Sequence, residues 1–118
     1  MKFTSSLKKN DEFKRVYRKG KAYRNKYLVM YMLDNGLEEN RLGISVSKKV
    51  GNSVVRHRVK RLIKESYRLH EEMFHSSWDI VVVARAESKD KSFKNIEGSL
   101  LHLLNLHLKK SKEKTESN

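Results

Sequence analysis

Between Asp11 and Lys19 the apolar residues Phe13, Val16 and Tyr17 fall three and four positions apart. Asn10 stands before two acids and Gly20 comes after, the pattern of a short amphipathic helix capped by Asn10 and ended by glycine. The period then changes. Tyr27–Leu33 is an aromatic and aliphatic run followed by Asp34, Asn35 and Gly36, which predicts a strand and a reversal, and Lys21–Arg24 fits a short extra strand before it. Arg41–Ser47 alternates strictly, with Leu42, Ile44 and Val46 on one side and Gly43, Ser45 and Ser47 on the other. The second side is nearly bare and open to close approach by a backbone or a flat base.

Gly51 lets the chain turn, and Asn52 or Ser53 can cap the next helix. From there Val55, Val59, Leu62, Ser66, Leu69 and Met73 form one helical stripe, within about 40° of a single direction at ~100° per residue. Asp79–Ala84 shows no polar alternation after its first residue, as expected of a central strand covered on both faces. Lys91–Leu108 carries Ile96, Leu100, Leu103, Leu104 and His107 at helical spacing, with Ser92 as cap and His102 and His107 as partly buried or boundary residues. The resulting order, roughly α-β-β-β-α-β-α, predicts a small two-layer α+β sandwich with a central sheet. A helix between the Arg41 and Asp79 strands implies a parallel crossover. Residues 1–108 form one domain in this reading, and 109–118 a charged, disordered tail.

Charge turns this outline toward a partner. The 118 residues include 27 Lys or Arg against 14 Asp or Glu, a net charge of +13 that favours a polyanionic partner, nucleic acid first among them. Arg41–Lys64 holds eight cations and no acid, unlike a salt-bridged surface. Arg56, Arg58, Lys60, Arg61, Lys64 and Arg68 occupy the wheel outside the apolar stripe, and helical turns set such side chains about 6 Å apart, suited to backbone phosphates. The absence of cysteine removes disulfides and thiol chemistry. The longest apolar runs fall far short of the ~20 residues that span a bilayer, and the first residues lack a secretory apolar core, so no membrane contact and a cytoplasmic location are expected.

Candidate chemistry is sparse. Phe13, Tyr17 and Tyr31 can line a groove in which single-stranded bases stack, although periodicity alone favours a core role for all three. His57 lies among arginines and has two readings, a hydrogen-bonding contact or, in a protein-only ribonuclease, a general base; the first is the expected one. His70, Glu71, Glu72 and His75 match no ligand spacing, so no protein-bound metal is expected. No Gly-rich nucleotide loop, carboxylate cluster or Ser-His-Asp arrangement occurs, and no catalytic side chain is assigned. A structural RNA-binding protein of ribosomal type is the alternative on composition alone.

The segment Leu42–Glu65, LGISVSKKVGNSVVRHRVKRLIKE, resembles the signature of the protein component of bacterial ribonuclease P almost position by position. The likeness extends through Phe13, Tyr17, Asn25, Tyr31 and the strand ending at Arg85. The resemblance implies a cofactor protein that binds a catalytic RNA and grips the single-stranded 5′ leader of precursor tRNA, while the RNA, with bound Mg2+, hydrolyses the phosphodiester. It implies no tightly bound protein cofactor, no obligate protein partner and a left-handed βαβ crossover, against the usual rule. The RNA-contacting candidates are then Lys48, Lys49, Asn52, Arg56, His57, Arg58, Lys60, Arg61, Lys64 and Arg68, with Phe13, Tyr17 and Tyr31 in the leader cleft. Two positions depart from the family pattern. His57 stands where Asn is usual, and Lys64 stands where Arg is common, which keeps charge but loses the bidentate fork.

Overall fold

The computed structural model describes residues 1–74 and 77–116, with side chains to Lys109. His75 of the His70–His75 group lies outside the described residues, as do the side chains of the predicted tail beyond Lys109. Strand β1 (Thr4–Ser6) leads into helix α1 (Asn10–Lys19), and β2 (Lys21–Arg24) and β3 (Leu28–Asp34) form a hairpin. Strand β4 (Asn40–Ser45), helix α2 (Ser53–Leu69), β5 (Trp78–Ala84) and α3 (Phe93–Glu116) complete the chain, with a 3-10 turn at Glu71–Phe74. Both cap predictions in the second half hold: Val55 N–H donates to the Asn52 side chain at 3.0 Å, and Asn95 N–H to the Ser92 hydroxyl at 3.2 Å. At α1 the boundary moves by one. Lys9 is the cap residue and Asn10 the first helical one, because the Glu12 carboxylate accepts the Lys9 N–H at 3.1 Å and so takes up that orphan donor itself.

The five strands lie in the order β1-β4-β5-β3-β2, with β4 parallel to both β1 and β5, and β3 antiparallel to β5 and β2. Strand β1 has no signature in the local pattern. It is three residues long and polar, and it exists only through its register with β4, Thr4 opposite Asn40 and Ser6 opposite Leu42. The unalternated β5 is central and buried on both faces, as its pattern requires. Helices α2 and α3 cover one face and α1 the other.

The hand of the β4–α2–β5 connection follows from two hydrogen bonds. Asn40 and Leu42 point their side chains into the α2-covered face, and both direct backbone groups to the β1 side: Asn40 N–H to the Phe3 carbonyl and Leu7 N–H to the Leu42 carbonyl, each at 2.9 Å. In a strand of L-residues running upward with such side chains toward the viewer, those backbone groups point right. Thus β1 lies right of β4 and β5 left of it, and a path through α2 in front of the sheet moves leftward. The crossover is left-handed, the rare hand for a parallel βαβ unit.

The larger core joins Leu28, Met30, Met32, Ile80 and Val82 of the sheet to Val59, Ile63 and Tyr67 of α2 and Ile96, Leu100, Leu103 and Leu104 of α3. The predicted α2 stripe is therefore corrected at its far end. Leu69 and Met73 are exposed, while Ile63 and Tyr67 are fully buried, because α3 packs beside α2 and the helix stops at Leu69. Asn40 is buried with its amide fully engaged. It donates to Tyr67 Oη at 3.2 Å and to the Phe74 carbonyl at 2.8 Å, and accepts from Trp78 N–H at 2.9 Å, which ties β4, α2 and the start of β5 together. Of the two histidines expected to be partly buried or at the boundary, His107 is buried, with Nε2 2.9 Å from the Met30 carbonyl and its ring edge-on to Tyr23 at 4.6 Å, and His102 is exposed. No helix among the described residues is long and apolar enough to cross a membrane.

Candidate nucleic-acid interface

Helix α1 lies across the sheet with only Val16 fully buried, so its other side chains are free to build a wall. Facing it is the first half of α2, and between them runs a depression of about 690 Å³ floored by Ile44, Ser45 and Val46. A second depression of about 610 Å³ shares Phe13, Ile44 and Lys60 with the first and continues it toward Lys8 and Lys64. Neither lining contains a carboxylate, while Lys14, Arg56 and Lys60 edge the first and Lys8, Lys60 and Lys64 the second. One continuous, acid-free groove thus separates α1 from α2.

Its aromatic wall is Phe13 and Tyr17; Tyr31, the third predicted ring, lines neither depression and reaches the wall only by its contact with Tyr17. Phe13 and Tyr17 are 6.4 Å apart at 44°, and Tyr17 meets Tyr31 at 4.9 Å nearly edge-on. Phe13 and Tyr31 are half-buried against a small second core of Leu7, Val16 and Val81, whereas Tyr17 keeps 39% of its surface exposed. The bare face predicted for β4 is real, but its occupant is Phe13. A Cβ added at Gly43 would lie 2.5 Å from Phe13 Cζ, so the missing side chain seats this ring rather than leaving open floor.

The expectation that the whole cationic segment is free of salt bridges fails at its first member. Arg41 forks onto Asp79, Nε to Oδ1 at 2.8 Å and Nη2 to Oδ2 at 2.7 Å, and also pairs with Glu12. The segment itself holds no acid, but α1 and β5 bring theirs to Arg41, a tertiary effect. Burial pushes the Asp79 carboxyl up, yet the Arg41 fork and the Asn35 amide outweigh it and hold the group below its ordinary range. Glu12 is also held low, first by the Lys9 N–H and then by the Arg41 charge. This network fastens the N-terminal end of α1 to the sheet beside Phe13.

The remaining candidates divide by direction. Arg56, His57, Lys60 and Lys64 line the groove, and Lys48 and Lys49 lie exposed in the turn before α2. Arg56 Nε is shut off from solvent with no hydrogen-bond partner among the described residues, an unusual state for a charged donor. Arg58 points toward α3 and donates to the Lys91 carbonyl at 2.9 Å; Arg68 pairs with Glu65, which it holds below the usual carboxylate range. Arg61 is exposed, and the Asn52 side chain serves as the α2 cap. Asn10 and Lys14, absent from the sequence-based candidates, also line the groove; they share the face of Tyr17 at steps of four and three, a spacing visible in the sequence. Among the described residues no group of His, Asp or Glu could hold a metal ion; His70 instead bonds Glu97 at 2.9 Å, and Glu71 accepts the N–H groups of Lys2 and Phe3.

An α+β fold with a left-handed crossover and a basic groove walled by aromatic rings defines a small RNA-binding protein. The chain belongs to the ribonuclease P protein family, whose Ribonuclease P model matches residues 1–107. It is 59% identical over 104 residues to the ribonuclease P protein component of Lachnoclostridium phytofermentans, covering 88% of this chain and 90% of that one. With the counterpart from Clostridium novyi it shares 57% over 106 residues, covering 88% and 94%. Among solved structures, the Staphylococcus aureus RNase P protein superposes with a TM-score of 0.80 at 41% identity, covering 86% of this chain and 94% of that one. The Thermotoga maritima protein gives 0.77 at 31%, covering 85% and 94%. Its function follows from the family: it is the protein part of a bacterial ribonucleoprotein endoribonuclease, binds RNA and acts in tRNA processing.

Proposed function

We propose that the α1–α2 groove takes the single-stranded 5′ leader of precursor tRNA, and that the outward cations of α2 and its preceding turn contact the catalytic RNA. One observation carries the reading: the Phe13 and Tyr17 rings, with Tyr31 in contact with Tyr17, stand across an acid-free groove from Arg56 and Lys60. Unpaired bases stack on such rings while the flanking phosphates meet the cations, a combination that binds a single strand without reading its sequence. Arg56, Lys60 and Lys64 recur along one side of α2 and act as fixed counter-charges for backbone phosphate. His57 offers a donor and an acceptor where an amide is usual in the family, so it serves as a contact residue.

The chain's own side chains bind and orient; none is assigned to bond breaking. The described carboxylates do not form a metal site, since Asp79 and Glu12 are committed to Arg41 and Glu71 to the N-terminal backbone. By the chain's resemblance to the family, Mg2+ is assigned to the RNA subunit, where it would supply an activated water. The protein acts in the cytoplasm, where tRNA precursors and the RNA subunit meet. Adding the chain to a ribonuclease P RNA at low magnesium should stimulate removal of the 5′ leader, and an unchanged rate overturns the proposal.

A further inference from the structure

A second polar surface lies where the β2–β3 turn meets the first turns of α3. Leu28 pairs with Ala84, so β3 begins where β5 ends, and α3 starts from that same end; α2 likewise leaves the corresponding end of β4. This surface and the α2 N-terminus therefore share one end of the molecule, and Arg58 reaches toward it by its bond to the Lys91 carbonyl.

Asn25 is its frame. Its Oδ1 accepts from the N–H groups of Tyr27 and Leu28 and from the Ser99 hydroxyl at 2.6 Å, which fixes the orientation of the amide. Its Nδ2 donates to the Ser99 carbonyl at 3.0 Å and to His102 Nδ1 at 3.1 Å. His102 Nδ1 is thereby the acceptor, and the ring proton sits on Nε2, away from Asn25. Lys26, Lys94 and His102 line a shallow depression of about 340 Å³ without a carboxylate. The neighbouring acids are engaged elsewhere, Glu97 with His70 and Glu87 with Arg85.

Gly98 is the second observation. It lies within α3, where glycine costs about 1 kcal/mol relative to alanine, yet a Cβ there would meet nothing within 4 Å and its φ is not left-handed. Neither internal packing nor backbone conformation accounts for it. It leaves the helix surface flat at the middle of the donor cluster, where another molecule's backbone can come close.

We infer that this surface is a second RNA-backbone site, contacted by ribose-phosphate of the catalytic RNA rather than by the tRNA leader. The inference rests on the RNA-binding reading above. The set offers donors and positive charge, as phosphate requires, and no cluster of rings like the Phe13–Tyr17 wall; Lys91 Nζ lies over the Tyr27 ring at 5.6 Å. A single-stranded leader that relies on stacking is better served by the other groove.

The test is titration of ribonuclease P RNA with the intact chain, K26E/K94E and G98Q between 50 and 200 mM salt. Both variants should lose roughly tenfold in affinity, and the charge-reversed one should flatten the log–log salt slope by about one unit for each phosphate no longer neutralised. G98Q should melt no lower than wild type, since it replaces a helical glycine that packs against nothing. The ratio of precursor to mature tRNA affinity should stay unchanged. Wild-type affinity and slope in both variants overturn the inference, as does a loss confined to precursor tRNA. Failure of the wild-type chain itself to bind the RNA sinks the underlying reading instead.

Discussion

Phe13 sits on Gly43: the ring of an α1 residue occupies the volume that a β4 side chain would fill, with Cζ 2.5 Å from where that Cβ would stand. Ring and glycine together set how closely the aromatic wall approaches the sheet. G43A should therefore overpack this site and cost about 1–3 kcal/mol in urea unfolding. An unchanged midpoint would mean that α1 shifts freely and that the groove has no fixed width.

Arg41 and Asp79 form the second anchor. Asp79 is 1% exposed, so R41M leaves a carboxylate buried without its partner, at a cost of about 2–4 kcal/mol, below the full range for a buried pair because Arg41 remains 21% exposed. R41M/D79N should recover part of that loss in the same denaturation experiment. The Asp79 carboxyl is held below its ordinary value in the fold, so its stabilisation is complete above the unfolded value near 3.8 and disappears as the pH falls through the lower folded one.

His107 acts in a different pH window. Burial, acting against the Met30 hydrogen bond and aided by the Lys21 charge, lowers it from its ordinary 6.5. The unfolded chain then takes up a proton first. Stability is full above about 6.5 and declines as pH falls toward the depressed folded value. Melting curves from pH 8 to 5 should fall more steeply for wild type than for H107Q, and parallel curves would rule out this histidine as the source.

Tyr17 is the most exposed ring of the aromatic wall, and its loss should be felt by the substrate more than by the fold. Y17A should weaken precursor tRNA binding by about 1–3 kcal/mol while leaving mature tRNA nearly unaffected. Equal losses for both RNAs from a folded variant would assign the ring a purely structural role.

Contacts to phosphate carry their own signature. If about six phosphates are neutralised by the groove and α2 cations, the affinity of the complex should fall roughly a thousandfold between 50 and 200 mM salt. A near-flat titration contradicts an electrostatic interface.

The element types are legible in the sequence because each is written in local period: three and four in α1, two in β4, unbroken apolarity in β5. The cationic character of α2 is equally plain. Periodicity tells which side of an element is apolar but not what covers it. That is why it places Leu69 and Met73 in a stripe that Ile63 and Tyr67 occupy, and why a bare strand face reads as space for a base when Phe13 fills it.

The sequence by itself determined a basic α+β chain with a helix of cations and three aromatics able to meet. Its resemblance to a family supplied the expected crossover hand, which two β4 hydrogen bonds in the structure establish independently. Only the tertiary structure decided that β1 exists, that Arg41 belongs to an ion network, that Arg58 and Arg68 turn away from the groove, and that Asn25 fixes the tautomer of His102. Most of these depend on partners tens of residues apart in the chain. A charge or ring declares its chemistry in one dimension, whereas whether it is paired, covered or free depends on which distant element folds against it.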